Sequence, residues 1–368
     1  MKDKTNIPWA KPDFWGLEEE YVSKALHSTW LSGGPFVDEL EVTARKFSGS
    51  PYCLAVSNGT VAIHLAYLAL GLKAGDEVIV PGFCYLAAAN IALLMGLSPV
   101  FVDVDPGTYC VTAEKIRGAI TKKTKLIVVV HTYGNVCPMD EIMVLAKSCE
   151  IPVLEDAAES LGSQYKGRQS GTIADIGTYS FHATKTITTG EGGMVLTGRK
   201  DLADKAMLYR THGVLGKRYW HEVPGHNFRL TNLQAALGCA QFKKVDHIFE
   251  ERRRVHASYR RLFDGEKGII LQRFDPDVEP VLWALAAELD QKYFPQGRDR
   301  VMEQLAEQGI ETRNGFYSAN QLKIYSNVKS IPISDRLAKN IISLPTFPKL
   351  KDEQIDFIAK AIIALKKK

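Results

Sequence analysis

Lys185 lies in a turn rich in threonine and glycine, between an apolar stretch at residues 176–181 and another at residues 193–196. The side chains around such a turn remove the lysine amine partly from water, which disfavours its charged form and lowers its pKa. A neutral lysine amine is a nucleophile that can form a Schiff base with an aldehyde cofactor. Because lysines are usually exposed, a surface lysine in a glycine-rich hairpin is the alternative interpretation of Lys185 taken alone.

Asp156 follows an apolar stretch at residues 151–154, upstream of Lys185. The stretch predicts a strand, and the small residues after Asp156 could begin a helix. An aspartate at the carboxyl end of a parallel strand points into the crevice where α/β folds bind ligands. Pyridoxal phosphate needs such a carboxylate beside its pyridine nitrogen, so the lysine and the aspartate together favour a site for this cofactor. The alternative role of Asp156 is a helix N-cap.

A small polar turn, Ser57-Asn58-Gly59-Thr60, joins a predicted strand to an amphipathic helix. This arrangement directs free backbone N–H groups and a helix N-terminus at an anion, so we expect it to hold a cofactor phosphate. A second predicted strand leads to Tyr85, whose ring could stack on a cofactor ring with a gain of about 0.5–1.5 kcal/mol. The alternative role of Tyr85 is that of a core aromatic residue.

Strands and helices that alternate along the chain must position these residues. The further predicted elements are strands at residues 99–104, 125–130 and 152–154, and helices at residues 16–29, 113–120 and 139–148. Such alternation indicates an α/β fold with a mostly parallel sheet flanked by helices.

A smaller α+β domain is predicted to follow a long helix at residues 233–263. Its elements are a strand at residues 281–289 and helices at residues 298–308 and 352–365. We therefore expect a large domain at residues 1–248, including an N-terminal arm, and a small C-terminal domain at residues 249–368 that begins with the linking helix.

The composition is that of a globular protein, with 45% hydrophobic and 24% charged residues. A formal net charge of +4 is too small to indicate a nucleic-acid partner, but it suits an anionic substrate. The arginines at positions 252–254, 260 and 261 are predicted to form a solvated helix face, with contact to substrate phosphates as the alternative.

The cysteines and the apolar stretches bear on where the protein acts. The six cysteines lack the paired spacing of a metal site, so we expect reduced thiols and no metal. Residues 1–5 lack the apolar core of a signal peptide, and no apolar stretch is long enough to span a membrane. We therefore expect a cytoplasmic protein with no membrane partner.

Three motifs, in the same order along the chain, resemble those of one enzyme family. They are Glu155-Asp156-Ala157-Ala158-Glu159, Ser180-Phe181-His182-Ala183-Thr184-Lys185 and Thr188-Thr189-Gly190-Glu191-Gly192-Gly193. From Trp30 to Leu344 the chain resembles the DegT/DnrJ/EryC1/StrS sugar-nucleotide aminotransferases, and within this family the GDP-perosamine synthase group is the most similar. The resemblance implies the fold-type I architecture of enzymes that depend on pyridoxal phosphate.

The resemblance also implies which residues contact the cofactor ring. Lys185 is expected to hold the cofactor and then to act as general base and acid, while Asp156 keeps the pyridine nitrogen charged. Tyr85 is expected to lie over the ring, and Glu159 is expected to face it from below.

The phosphate contacts implied by the resemblance involve two subunits. Ser180 is expected to hold the phosphate together with the turn at residues 57–60. Asn227 lies in a Gly-x-Asn-x-Arg-x-Thr-Asn stretch at residues 225–232, and in the family this asparagine reaches the phosphate of the partner subunit. A homodimer with shared active sites is therefore expected.

The implied reaction moves an amino group from L-glutamate to a nucleotide-linked keto-sugar, at C4 of a 4-keto-6-deoxyhexose. The expected substrate contacts are Ser32, Arg229, Arg313 and Tyr317. Arg313 matches the perosamine synthases, but the proline that usually follows it and a later histidine are absent here. This departure puts the identity of the sugar in doubt.

Other activities remain open from the sequence. The nucleotide and the choice between C3 and C4 amination are not determined by these motifs. The family also contains sugar dehydratases, which carry a histidine in place of the lysine, so Lys185 argues against that activity. A non-catalytic protein that binds pyridoxal phosphate is a further alternative, which the intact Lys185, Asp156 and Glu191 disfavour.

Overall fold

The computed structural model of the chain describes residues 6–325 and 328–367; residues 1–5, to which the signal-peptide expectation refers, lie outside this part. The helices are α1 (Glu18–His27), α2 (Pro35–Ser48), α3 (Gly59–Leu70), α4 (Ala87–Leu94), α5 (Ala113–Arg117), α6 (Met139–Ser148), α7 (Lys200–Arg210), α8 (Asn232–Phe242), α9 (Val245–Phe263), α10 (Gly297–Glu307), α11 (Pro332–Asn340) and α12 (Asp352–Ala364). The strands are β1 (Tyr52–Val56), β2 (Glu77–Pro81), β3 (Ser98–Val102), β4 (Thr124–Val130), β5 (Val153–Asp156), β6 (Gln164–Tyr165), β7 (Arg168–Gln169), β8 (Ile176–Ser180), β9 (Gly193–Thr197), β10 (Ile269–Leu271), β11 (Val278–Glu279), β12 (Leu285–Leu289), β13 (Arg313–Asn314) and β14 (Ile341–Leu344).

A seven-stranded sheet forms the centre of the molecule, in the order β1-β9-β8-β5-β4-β2-β3. Strand β9 runs antiparallel to both of its neighbours, and the other pairings are parallel. Strand β4 shows why helices must cover both faces. Val128 packs in the apolar cluster on one face, and the next residue, Val129, packs in the cluster on the other. The predicted α/β fold with a mostly parallel sheet is confirmed.

A smaller antiparallel sheet, in the order β10-β12-β14-β13, lies in the C-terminal part of the chain. Helices α9, α10 and α12 pack with it around Leu305, Ile342 and Ile358. The N-terminal arm contacts this C-terminal part of the chain, where Ile7 forms a parallel bridge with Ile310. We keep the division into residues 1–248 and 249–368 as a proposal.

The single long helix predicted at residues 233–263 is wrong. Helix α8 ends at Phe242, and the backbone of Lys244 leaves the helical region, with φ −118° and ψ 15°. Helix α8 packs against α1 and α2, whereas α9 packs against α12. One straight helix could not make both sets of contacts. Packing therefore breaks the helix at this point, although no glycine or proline lies there.

Candidate active site

The carboxyl ends of the central strands bring the predicted site residues to one edge of the sheet. Asp156 is the last residue of β5 and pairs with Thr178 of β8, in parallel register. The chain leaves β8 after Ser180 and reaches Lys185 in the turns before β9. Ligands of open α/β sheets bind at this edge, so the topology puts the lysine and the aspartate on the same crevice.

Lys185 is largely shielded from water, with 14% of its side chain exposed. Its Nζ lies 3.8 Å from Oε1 of Glu159 and 3.6 Å from the ring centroid of Trp283. Burial lowers the pKa of Lys185, although the negative charges of Glu159 and Asp156 oppose this effect. The amine is thus closer to its neutral, nucleophilic form than the amine of an exposed lysine.

Asp156 is buried, and its Oδ1 accepts a hydrogen bond of 3.1 Å from the backbone N–H of Ala158. Burial raises the pKa of Asp156, and the Ala158 bond and the charge of Lys185 partly offset the increase. The helix that could have begun after Asp156 is not formed, because residues 157–163 fold into successive turns. The structure therefore excludes the helix N-cap role for this residue.

Glu159 is held by the backbone of a residue from the neighbouring strand. Its Oε2 accepts a 2.8 Å hydrogen bond from the backbone N–H of Tyr133, which follows β4 and has a φ of 61°. A positive φ is uncommon for a bulky residue, and it occurs here beside the candidate site. Burial raises the pKa of Glu159 to about 7, although the charge of Lys185 lowers it.

The turn predicted to hold the cofactor phosphate lies at the N-terminus of α3. Asn58 caps this helix by accepting a 2.8 Å hydrogen bond from the N–H of Val61, and the remaining first-turn N–H groups point out of the helix end. Gly59 lies so close to Ser180 that a side-chain carbon at Gly59 would be 2.8 Å from the Ser180 Cβ. Hydroxyl and amide donors from two elements thus meet in a narrow space.

Two residues fix the turn around Lys185, a role that was not predicted for them from the sequence. Trp283 donates a 2.8 Å hydrogen bond from Nε1 to the carbonyl of Thr184. Arg252 donates to the carbonyls of Leu282 and Trp283, at 3.1 Å each, and to that of Lys185 at 3.4 Å. The placement of Arg252 on a solvated helix face is wrong, because α9 turns this side chain into the interior, where it is buried.

These contacts also correct the strand predicted at residues 281–289. Strand β12 begins only at Leu285. The carbonyls of Leu282 and Trp283 accept from Arg252 instead of from a neighbouring strand. No sequence pattern signals this arrangement, because it depends on a helix and a turn that lie far apart along the chain.

A buried pair of hydrogen-bonded side chains supports strand β5, and this pair was not predicted from the sequence. His131 Nε2 lies 2.9 Å from Oε2 of Glu155, and both side chains are fully buried. His131 Nδ1 accepts from the N–H of Cys137, so the proton lies on Nε2, which donates to the carboxylate. Glu155 also accepts from the backbone N–H groups of Gly171, Ile173 and Ala174. The strand end that carries Asp156 is thereby fixed.

The segment that carries Asn227 runs along the large sheet of its own subunit. Arg229 forms an antiparallel bridge with Val56, and the N–H of Ser57 donates to the carbonyl of Phe228 at 3.0 Å. The side chains of Asn227 and Arg229 are exposed and joined by a 3.1 Å hydrogen bond from Arg229 Nε to Asn227 Oδ1. The reach of Asn227 into a partner subunit stays a prediction.

The turn that contains Ser32 is fixed by Asn232, a residue that the sequence did not single out. Asn232 is fully buried and donates from Nδ2 to the carbonyl of Trp30 at 2.7 Å. Its Oδ1 accepts from the N–H of Phe36 at 2.9 Å, and its own N–H donates to the carbonyl of Leu31 at 3.0 Å. The first residue of α8 thus sets the path of the turn.

The remaining residues that were expected to contact the cofactor or the substrate are Tyr85, Tyr317 and Arg313. The ring of Phe316 stacks on Tyr133 with centroids 5.1 Å apart, and Tyr85, with 63% exposure, lies 6.4 Å from Phe316. Tyr317, the next residue after Phe316, is exposed. Arg313 lies elsewhere: its guanidinium packs over the ring of Trp9, 5.9 Å from the centroid, and the ring of Trp9 in turn meets the edge of Trp283.

Comparisons with known proteins show the family of the chain. The chain matches the DegT/DnrJ/EryC1/StrS aminotransferase family over residues 15–363. The chain belongs to this family. It is 40% identical to the GDP-perosamine synthase of Escherichia coli O157:H7 over 359 residues, which are 97% of each chain. It is 37% identical to the GDP-perosamine synthase of Caulobacter vibrioides over 367 residues, which are 98% of this chain and 99% of the relative.

A solved structure of an aminotransferase with its cofactor has the same fold. The fold is similar to that of the pyridoxal phosphate form of Spr1654 from Streptococcus pneumoniae, with a TM-score of 0.92 at 27% identity and coverage of 98% of each chain. The family, the fold-type I architecture and the dependence on pyridoxal phosphate predicted from the motifs are therefore confirmed. The chain is an enzyme, an aminotransferase.

The residues of this DegT-family aminotransferase fit the cofactor. A shielded amine, a buried carboxylate and a helix N-terminus match the aldehyde, the pyridine nitrogen and the phosphate. Within residues 6–325 and 328–367 there is no group of three or more histidine, cysteine or acidic residues that could hold a metal ion. The same described part of the chain contains no helix that is long and apolar enough to cross a membrane.

Proposed function

We propose that this aminotransferase moves the amino group of L-glutamate to C4 of a nucleotide-linked 4-keto-6-deoxyhexose, as a GDP-perosamine synthase does. The observation that carries the proposal is the shielded amine of Lys185, which lies in one crevice with two buried carboxylates, Asp156 and Glu159. Relatives named GDP-perosamine synthase align with nearly the whole chain, which favours this substrate class.

The chain's own residues supply the proton transfers and the orientation. When bound, pyridoxal phosphate supplies an electron sink for the bond that is broken at the α-carbon of the donor. The free Nζ of Lys185 takes the proton from that α-carbon and, in the second half of the reaction, gives a proton to the sugar carbon that receives the amino group. With the cofactor bound, the carboxylate of Asp156 would stabilise the positive charge on the pyridine nitrogen, and Glu159 would face the ring.

The phosphate contacts are proposed for the turn at residues 57–60 and for Ser180. Tyr85 is proposed to lie over the ring, since its exposed side chain follows β2 at the same edge of the sheet. Asn227 is proposed to reach the phosphate of a partner subunit, which makes the enzyme a homodimer with shared sites.

The sugar contacts are proposed for Ser32, Arg229, Arg313 and Tyr317. Arg313 must act on a distal part of the substrate, because its guanidinium packs on Trp9 and not against Lys185. Free cysteines, five of them buried, agree with action in the cytoplasm, and we propose a role in the synthesis of surface polysaccharides or glycosides.

The proposal is tested by incubating the purified enzyme and glutamate with a panel of nucleotide-linked 4-keto and 3-keto sugars. Products are identified by mass spectrometry and NMR. We expect one 4-amino sugar and 2-oxoglutarate in equal amounts, with no product from Lys185→Ala and normal product from Lys147→Ala, which removes an exposed lysine of α6. A 3-amino product would show that amination occurs at C3 and not at C4, and a deoxygenated sugar would indicate a dehydratase. The absence of product with every sugar of the panel would overturn the proposal.

A further inference from the structure

The ion pair between Lys185 and Glu159 joins two side chains that are both withdrawn from solvent. The exposed fraction is 14% for the lysine and 3% for the glutamate side chain, and 3.8 Å separates Nζ from Oε1. Burial in an apolar environment disfavours both charges, and the pair can lower this cost by moving one proton from nitrogen to oxygen. A solvated surface pair would gain nothing from such a transfer.

The backbone of Tyr133 fixes which oxygen of Glu159 faces the amine. Its N–H binds Oε2 at 2.8 Å, so Oε1 is the oxygen directed at Lys185. The Tyr133 ring stacks on Trp283 on one side, at 6.2 Å and 11°, and on Phe316 on the other, at 5.1 Å and 13°. Packing thus holds the backbone in its left-handed conformation and keeps the carboxyl group in place.

The other titratable groups near the pair do not compete with Glu159 for the proton of Lys185. Burial raises the pKa of Cys84 and of Tyr133 well above their ordinary values, so both stay neutral. The charge of Asp156 also stabilises the ammonium, but its Oδ1 accepts a hydrogen bond from the N–H of Ala158. Arg252 adds positive charge beside the amine, which favours loss of a proton from Lys185.

We propose that Glu159 is the proton partner of Lys185: its Oε1 takes a proton from the Nζ ammonium and later returns it. One N–H bond breaks and one O–H bond forms, so an ammonium and a carboxylate become a neutral amine and a neutral acid. The net charge of the crevice is unchanged. The lysine thereby obtains its nucleophilic form without exchanging a proton with bulk water. The consequence for catalysis rests on the proposed function, but the proton transfer itself does not.

The pKa values of the two groups agree with this transfer. Burial lowers the pKa of Lys185 and raises that of Glu159 to about 7, so the two values approach each other. Two groups that interact in this way titrate as a pair.

The first test measures Lys185 in the full-length protein without cofactor. Trace labelling with acetic anhydride, which reacts with neutral amines, is followed from acid to alkaline pH on the peptide that carries Lys185. In Glu159→Gln the half-maximal labelling should move to lower pH, because the charge that stabilises the ammonium is gone. Glu191→Gln removes an exposed carboxylate from the next turn and should leave the midpoint in place. Equal midpoints in wild type and Glu159→Gln would overturn the proposal.

The second test follows the first half-reaction, with the bound cofactor mixed with glutamate in a single turnover. Loss of an acid–base partner should slow the rate constant of Glu159→Gln at least about 100-fold, while the glutamate concentration for half-saturation stays the same. A purely structural defect would change both quantities. An unchanged rate constant would refute the catalytic use of the transfer.

A reciprocal measurement covers the case in which Glu159→Gln does not fold. In an Asp156→Asn background, infrared spectra follow the protonated carboxyl group of Glu159 with rising pH. Replacing Lys185 with methionine should let that band persist to higher pH, and an unchanged band would contradict the pairing. If the labelling midpoint moves but the wild type aminates no sugar, the proton partnership stands and the proposed function fails.

Discussion

Replacing Glu159 with glutamine should make the cofactor-free protein resist alkaline pH better than the wild type. Burial raises the pKa of Glu159 from its ordinary 4.5 to about 7. A carboxyl group whose pKa is higher in the folded state stabilises the fold fully below the lower value, and this stabilisation is lost as the pH rises through the higher one. The wild type therefore loses stability between pH 4.5 and pH 7, because ionisation is easier in the unfolded chain.

The magnitude follows from the distance between the two pKa values. Each unit is worth about 1.4 kcal/mol, so the whole window corresponds to about 3 kcal/mol and the interval from pH 5 to pH 8 to roughly 2–3 kcal/mol. Glutamine does not titrate, and its amide oxygen can still accept the N–H of Tyr133. The variant should thus keep its fold and lack this component of the pH dependence.

The assay is urea unfolding at pH 5 and at pH 8, followed by tryptophan fluorescence and extrapolated linearly to zero denaturant. The quantity to compare is the change in the free energy of unfolding between the two pH values, because contributions from titrating groups that do not interact with Glu159 cancel between the proteins. Glu191→Gln serves as the control with the same change of charge on an exposed side chain. Equal changes in wild type and Glu159→Gln would refute the reasoning from burial.

Four further outcomes are expected. Borohydride reduction of the holoenzyme should attach the cofactor to the peptide that carries Lys185, and labelling of another lysine would overturn the assignment. Asp156→Asn should keep the cofactor but lose turnover at least about 100-fold, whereas near-normal turnover would exclude its electronic role. A mixture of Lys185→Ala and Asn227→Ala subunits should regain activity, provided that mass measurements show that the subunits exchange. If they exchange and no activity returns, the active site lies within one chain. Asn232→Ala should lower the free energy of unfolding by about 1–3 kcal/mol, since it leaves buried groups of the turn at residues 30–36 unpaired; an unchanged value in urea unfolding would refute this.

Local patterns in the sequence determined the large sheet and the main motifs. Helix α6 was predicted with its observed bounds, Met139–Ser148, and β4 was predicted within one residue of its start at Thr124. Both have a strong apolar pattern of their own, so the neighbouring elements do not change them. Asp156 and Lys185 could be proposed as site residues because each ends or follows a strand within a short contiguous motif.

Packing between distant elements decided the remaining features. The break between α8 and α9 at Lys243-Lys244 has no local signal, because it arises from two helices that pack on different partners. Arg252 has the polar character of a surface residue, and only the carbonyls that surround it in the fold explain its burial.

The sequence alone thus determined the family and the cofactor, and it was enough to propose Lys185, because these inferences depend on residues that are neighbours along the chain. The tertiary structure decided the environment of the lysine amine. Trp283 covers the amine from a segment that lies far along the chain, and the left-handed backbone of Tyr133 sets the carboxyl group of Glu159. The pKa of the amine depends on distances and burial, and these exist only after the strands, the turns and α9 have packed together.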